Sequence, residues 1–171
     1  MNHIIPIKNN MRVLTVLILT VFIFVSVIVR AADTKTNFLG KWSLNSDKTL
    51  VQGQRTSAQG ELDIHQEENS ITIKRISPGR HQGQVITTEE LTLDGEIKDS
   101  VVSGKPTKSA VSWSPDGKKM TISYLILFAK NDIRTTIEIW ALSEDGKSLS
   151  INYSSKSAKG ARTAHYVYDR K

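Results

Sequence analysis

The chain has 171 residues, a formal net charge of +6 and no cysteine. Removing residues 1–31 would take away three basic residues and no acidic one, which leaves 20 basic against 17 acidic residues and a net charge of +3. The remaining charges are scattered along the chain, which argues against a nucleic-acid partner. Without cysteine, the protein has neither a disulfide nor an acylated-cysteine anchor, so a hydrophobic core must hold it together.

The N-terminus carries an export signature. Residues 13–29 form one apolar run, preceded by Lys8 and Arg12 and followed by Arg30 and Ala31. This three-part pattern predicts a signal peptide of residues 1–31, cleaved after Ala31, and a periplasmic or secreted protein without stable membrane insertion after cleavage. An uncleaved anchor is the alternative, because the run reaches the lower limit of about 17 residues for crossing a bilayer. Residues 32–171 then form a single domain.

The domain shows period-two alternation of apolar and polar residues interrupted by turn-forming residues, and no convincing helix. One connection is long: residues 45–60 form a polar loop of the kind that caps or gates a site. The expected strands are residues 38–44, 61–67, 70–77, 84–93, 97–103, 107–114, 118–129, 133–143, 147–155 and 161–169.

A repeated phrase predicts how neighbouring strands connect. The segment that begins with Asp116-Gly117 recurs, with conservative changes, at Asp145-Gly146, 29 residues later. Asp-Gly supports a tight turn because glycine accepts positive φ, and alternating apolar and hydroxyl residues follow each copy. Each copy therefore indicates a hairpin in an antiparallel meander.

Turn lengths give an expected register. A two-residue turn at Asn131-Asp132 pairs Tyr124 with Ile139, and a three-residue loop at residues 144–146 pairs Ile139 with Ile151. A four-residue loop after Trp113 keeps that residue on the same face. The resulting apolar face comprises Val111, Trp113, Ile122, Tyr124, Ile126, Phe128, Ile137, Ile139, Leu149, Ile151 and Tyr153. A sandwich or a barrel could bury it, and the edge-free solution is an antiparallel up-and-down β-barrel of about 8–10 strands.

The opposite face of the same strands is also apolar. Leu125, Leu127, Trp140 and Leu142 are expected to point outward when Tyr124 and Ile139 point inward. An exposed patch of this kind usually marks a partner, so a homodimer, an envelope protein or a membrane contact is expected there. The alternative is that the loop at residues 45–60 covers it.

The first strand carries a family resemblance. Gly40-Lys41-Trp42 resembles the Gly-x-Trp first strand of lipocalins and fatty-acid-binding proteins, in which the tryptophan plugs one end of a barrel. The whole domain resembles small exported bacterial lipocalin-like proteins. The resemblance implies an internal cavity that binds a small hydrophobic or amphipathic molecule. The chain departs from the fatty-acid-binding proteins in two places: residues 45–60 lack the helical periodicity of their lid, and Arg162-Thr163-Ala164 lacks their Arg-x-Tyr carboxylate site.

Four residues are candidate ligand contacts. Arg75 lies on the same face of its strand as the inward-pointing isoleucines and could hold an anionic group. The alternative is a position at the rim of the barrel, where its long side chain reaches water. Tyr124 and Tyr153 occupy matching places in the repeated phrase, and core packing is their alternative role. Trp113 is a fourth candidate on the inward face, and Trp42 is expected to be a structural plug.

No motif for catalysis, a metal or a cofactor is present. His65, His81 and His165 do not have metal-ligand spacing, and no nucleophile motif or phosphate-binding glycine loop occurs. Acidic residues that meet only in space would escape this test, so catalysis remains an alternative. The sequence predicts an exported ligand-binding protein that performs no catalysis, with a non-enzymatic cell-envelope interaction module using the outer patch as the second hypothesis.

Overall fold

The structure is a computed structural model. The proposed leader, residues 1–31, and His81 lie outside the residues that it describes. Within the described part all regular structure is β, so no helix there is long and apolar enough to cross a membrane. The described residues are 35–52, 59–79, 83–102, 104–129 and 132–171.

Eleven strands account for the regular structure. They are β1 Gly40–Leu44, β2 Leu50–Gln52, β3 Glu61–Gln66, β4 Ser70–Pro78, β5 Gln84–Thr92, β6 Lys98–Val102, β7 Lys105–Trp113, β8 Lys119–Ala129, β9 Asp132–Leu142, β10 Ser148–Ser157 and β11 Gly160–Arg170. Ten of them coincide closely with the strands expected from the sequence. The eleventh, β2, lies in the segment predicted to be a polar loop and pairs with β11.

The strands form one antiparallel sheet that curves into a nearly closed barrel. Chain neighbours pair from β3 to β5 and from β6 to β11, while β1 joins the two runs by pairing with both β3 and β11. The sheet ends at β5 and β6, which approach each other without forming a ladder. The predicted all-β, up-and-down barrel is therefore confirmed, with a seam between β5 and β6.

The register between β8 and β9 differs from the expected one. Tyr124 lies opposite Thr136, three residues away from the predicted partner Ile139, and Ile122 lies opposite Glu138. Ala129 pairs with Asp132, so the two-residue turn lies one position earlier than predicted, which moves the register by two residues. A β-bulge between Leu127 and Ala129 adds the third residue of the shift. Because the shift is odd, β9 presents its other face to the interior. Ile137 and Ile139 therefore point outward, contrary to the prediction.

The loop between β9 and β10 is also longer than expected. The N–H of Ser143 donates to the carbonyl of Ser148 at 2.8 Å, which closes a four-residue loop rather than the predicted three-residue loop. Ile151 consequently lies opposite Trp140 instead of Ile139. This one-residue shift exchanges the two faces of the strand again and so reverses the effect of the first shift. Leu149 and Ile151 are therefore buried inside the barrel as predicted.

The two copies of the repeated phrase form the same turn. The N–H of Ser114 donates to the carbonyl of Lys119 at 2.9 Å, which matches the Ser143–Ser148 closure. Gly117 and Gly146 both have φ of 67°, a conformation that strongly favours glycine. A common Ser-x-Asp-Gly sequence therefore gives a common four-residue hairpin loop.

Aromatic side chains fill one end of the barrel. Phe38, Trp42 and Trp140 are fully buried there. The Phe38 ring stacks on Trp113 at 6.1 Å and meets Trp140 edge-on at 5.8 Å, while Trp42 Nε1 donates to the Phe38 carbonyl at 3.1 Å. We call these four residues the aromatic plug. Their packing leaves the remaining space for a cavity in the other half of the barrel.

Candidate functional site

The barrel interior contains a cavity with two adjoining lobes. The first lobe has a volume of about 160 Å³ and the second about 250 Å³. Their common wall consists of Gln59, Arg75, Arg134, Glu138 and Tyr153. Ile151, Arg162, Tyr166 and Tyr168 complete the first lobe, and Glu89, Tyr124, Thr87 and Thr136 are among the residues that complete the second. The lining is thus mainly polar, unlike the aromatic plug.

Arg75 lies at the centre of the cavity wall. It pairs with Leu62 of β3 and Thr87 of β5, and its side chain points inward. Its Nε donates to Glu89 Oε1 and its Nη2 to Glu138 Oε2, both at 2.9 Å. The three side chains are only 11%, 13% and 9% exposed, respectively. A buried guanidinium on β4 therefore joins a carboxylate of the neighbouring strand β5 to a carboxylate of β9, which is not adjacent to β4 in the sheet.

Two further donors complete this network. The Tyr124 hydroxyl donates to Glu89 Oε2 at 3.0 Å, and Trp140 Nε1 donates to Glu138 Oε2 at 3.0 Å. Arg75 also lies over the Trp140 ring, with Cζ 5.7 Å from the centroid. Each carboxylate thus accepts hydrogen bonds from two side chains. We call Arg75, Glu89, Tyr124, Glu138 and Trp140 the buried ion network.

Burial and charge fix the protonation states in this region. Desolvation acts to lower the pKa of Arg75, but the charges of Glu138 and Glu89 outweigh it and raise that pKa well above its ordinary value. Burial, followed by the charge of Glu89, raises the pKa of Tyr124. Burial likewise raises the pKa of Tyr168. Arg75 is therefore charged at neutral pH, and both tyrosines keep the hydroxyl proton needed to donate.

Two groups of the first lobe lack a hydrogen-bond or ion-pair partner among the described residues. The Tyr168 hydroxyl is buried and has no hydrogen-bond partner there. Arg134 forms no ion pair with any described carboxylate, and its guanidinium instead lies 4.3 Å from the centroid of Phe128. Lys105 contacts the same ring, with Nζ at 4.9 Å. The described residues thus leave Arg134 without an ion pair and the Tyr168 hydroxyl without a hydrogen bond.

The structure brings three of the four predicted ligand contacts to one cavity. Arg75 and Tyr153 line both lobes, and Tyr124 lines the second. Trp113 does not line either lobe and belongs to the aromatic plug. Trp42 is fully buried in that plug, as expected for a residue that closes one end of the barrel.

The predicted outer patch is only partly right. Leu125 and Leu127 are exposed, at 41% and 38%, but Trp140 is fully buried in the plug and the ion network. The prediction for Trp140 is wrong because it rested on the β8–β9 register that the bulge displaces. Ile133 and Ile137 take its place outside, and an external groove of about 310 Å³ runs beside Leu125 and Ile137.

Sequence reasoning did not identify Glu89, Glu138, Arg134 or Tyr168. For Glu89 the sequence contained a signal of an inward position, because Glu89 lies on the same strand face as Leu91 and Leu93, which are both buried. For Glu138 the only signal was indirect, through the turn lengths that set the facing of β9. Nothing in the local sequence indicates that these side chains meet, because Arg75 and Glu138 are 63 residues apart.

Comparisons with known proteins give a likeness of fold. No protein-family model matches the chain, and no curated protein matches it. A crystal structure of the zebrafish ileal bile acid-binding protein complexed with cholic acid is similar, with a TM-score of 0.51 and 19% sequence identity. The alignment covers 78% of this chain and 98% of that chain. At this identity the likeness shows the fold alone, an antiparallel β-barrel like that of the bile acid-binding protein.

Proposed function

We propose that this chain binds a small amphipathic molecule in the barrel cavity and performs no chemistry on it. The observation that carries the proposal is the two-lobed cavity, whose mainly polar wall includes a few apolar residues such as Ile126 and Ile151. Concave sites in which fixed polar groups can orient a ligand are typical of small-molecule binding. The structural neighbour, a bile acid-binding protein complexed with cholic acid, supports the same conclusion.

The geometry of the ion network favours binding over catalysis. Glu89 and Glu138 are each held by Arg75 and by a second donor. Two accepted hydrogen bonds leave each carboxylate further lone pairs, which can accept a hydrogen bond from a bound molecule. Carboxylates fixed by two donors are better suited to orient a bound molecule, as rigid parts of the wall.

We also propose that the protein works outside the cytoplasm. The support is the three-part N-terminal pattern. N-terminal sequencing of protein from an exporting host is expected to give a mature start at Ala32. Recovery of the full-length chain in membranes would instead favour the uncleaved anchor.

A pair of neighbouring residues on β6 tests the binding function. Val102 lines the second lobe, whereas Val101 points outward and is 71% exposed. We expect wild-type protein to bind the amphipathic probe anilinonaphthalene sulfonate, with fluorescence enhancement. Val102→Trp should fill the lobe and reduce uptake at least severalfold, while Val101→Trp should leave it unchanged. Equal uptake by both variants, or none by wild type, would contradict binding in the cavity.

An interaction surface is the second candidate function. Leu125, Leu127, Ile133 and Ile137 are exposed on adjacent strands beside the external groove. Large exposed apolar patches often mark a partner, either a second copy or another envelope protein. Sedimentation measurements of Leu125→Ser/Leu127→Ser against wild type test this function. An association that disappears in the variant, without any change in probe uptake, would support it.

A further inference from the structure

We propose that the outer surface of strands β6 to β9 is the contact surface of a weak homodimer, in which the same surface of a second copy covers it. The inference does not depend on ligand binding in the cavity, and it specifies the partner of the interaction surface described above. We call this surface the β6–β9 face. It carries six large apolar side chains that are exposed to solvent: Ile97, which immediately precedes β6, Val101, Leu125, Leu127, Ile133 and Ile137.

One edge of the β6–β9 face is an apolar ridge. Val101 lies opposite Pro106 in the β6–β7 ladder, and Leu127 lies opposite Ile133 in the β8–β9 ladder. The register of the β7–β8 ladder brings these two pairs side by side. The four side chains therefore form a first row that crosses all four strands and contains no charge.

The opposite edge of the face is a groove. Ala110 lies opposite Ser123, four residues along each strand from the ridge, and both side chains are small. They form the floor of the external groove of about 310 Å³, between the larger side chains of Ile97 and Ile137. A two-fold axis along the middle of the face exchanges its two edges, so the ridge of each copy would lie over the groove of the other. An interface between identical surfaces needs this kind of self-complementarity.

The charges of the face also favour a second copy. The middle row contains Asp99 and Lys108, whose side chains form an ion pair of 2.6 Å, followed by Leu125 and Thr135. Among the described residues of the three rows, Asp99 and Lys108 are the charged ones, so the face is neutral. A neutral face offers no attraction to a strongly charged partner such as an anionic bilayer, and it does not repel its own copy.

The size of the face predicts a weak dimer. Adjacent strands lie about 4.8 Å apart and residues four apart on one strand about 13 Å, so the face measures roughly 20 by 20 Å with its side chains. Two copies would bury about 800 to 1,000 Å² in total, less than the roughly 1,200 to 2,000 Å² of stable complexes. We therefore expect a reversible dimer with a Kd of about 10 to 100 µM.

Charge reversal tests whether two copies of this face meet. Asp99→Lys gives the face two positive charges, and Lys108→Asp gives it two negative charges. Both residues are more than half exposed, so each variant should fold, which circular dichroism checks. Sedimentation equilibrium should show that each variant self-associates at least tenfold more weakly than wild type, because like charges oppose each other. An equimolar mixture of the two variants should associate at least as tightly as wild type.

An exposed ion pair elsewhere on the barrel provides the matched control. Lys41 of β1 faces Asp63 of β3 across the strands, as Lys108 faces Asp99, but on the outside of two other strands. Lys41→Asp changes the net charge of the protein by the same amount as Lys108→Asp. We expect it to self-associate as wild type does, since the altered charge lies outside the β6–β9 face.

Each remaining outcome would overturn the inference. These outcomes are a wild type that stays monomeric up to about 1 mM, single variants that associate like wild type, a mixture that associates no better than its components, and an equal loss in Lys41→Asp. A monomeric wild type that binds another envelope protein through Leu125 and Leu127 would overturn the homodimer and retain the interaction surface. The cavity function stands or falls separately, on probe uptake by wild type and Val102→Trp.

Discussion

The buried ion network predicts that breaking it costs far more free energy of unfolding than breaking an exposed ion pair of similar length. Arg75→Met keeps the length of the side chain but leaves Glu89 and Glu138 buried without their cation. Removing one partner of a buried pair typically costs about 3 to 5 kcal/mol, because the remaining charge is neither solvated nor compensated. That is a large part of the roughly 5 to 15 kcal/mol by which a domain is stable.

An exposed pair provides the matched control. Lys108 Nζ lies 2.6 Å from Asp99 Oδ1, closer than either contact of Arg75, but the two side chains are 56% and 79% exposed. Solvent screens such a pair, so Lys108→Met should cost only about 0 to 1 kcal/mol. Urea denaturation of each variant, followed by circular dichroism in the far ultraviolet, measures both free energies of unfolding on the same scale.

A combined variant tests the cause of the loss. Replacing the charges together, as Arg75→Met/Glu89→Gln/Glu138→Gln, removes the uncompensated carboxylates. We expect it to be more stable than Arg75→Met alone, since whole buried ion networks are often replaceable at little net cost. The reasoning would be refuted if Arg75→Met and Lys108→Met lost similar stability, or if the combined variant were the least stable of the three.

Three further predictions concern the plug, the turns and the unpartnered hydroxyl. Trp42→Ala should cost about 3 to 5 kcal/mol in urea denaturation because the side chain is fully buried, whereas exposed Leu39→Ala should cost less than about 1 kcal/mol. A serine hydroxyl first, and a lysine backbone N–H second, hold the pKa values of Asp116 and Asp145 below the ordinary 3.8. The two carboxylates therefore contribute their full stabilisation above about pH 4, and this contribution is lost as the pH falls through their lower pKa values in the folded protein. Asp116→Asn/Asp145→Asn should therefore lose less stability than wild type between about pH 4 and pH 2, and parallel acid unfolding curves would contradict this. Tyr168→Phe should have the same free energy of unfolding as wild type or be up to about 1 kcal/mol more stable in urea denaturation. A clear loss of stability would show that the hydroxyl has a partner in solution.

The sequence identified most strands because their boundaries depend on local chemistry. Turn-forming residues separate the alternating segments, and ten of the eleven strands lie where these signals place them. The eleventh, β2, is only three residues long, and its three side chains are all exposed, so it carries no apolar alternation that could reveal it. It exists because the free edge of β11 beyond β1 is available for pairing.

The register of β9 shows where local reasoning failed. Its alternating residues are apolar on both faces, with Ile137 and Ile139 on one and Trp140 on the other, so hydrophobicity alone could not choose between them. The repeated Ser-x-Asp-Gly phrase did contain the correct loop length for the β9–β10 hairpin, because Ser114 and Ser143 close identical turns. The bulge at the end of β8 had no comparable signal.

For this protein the sequence by itself determined ten of the eleven strands, the four-residue loop after Trp113 and the inward facing of Arg75 and Tyr124, since each depends on neighbours within a few residues. Only the tertiary structure decided that Glu89 and Glu138 face the same guanidinium, across 14 and 63 residues of chain. Barrel closure and the β8 bulge bring these strands into register, and neither had a recognisable signal in the sequence. A site assembled from side chains that meet only in space therefore required the folded barrel.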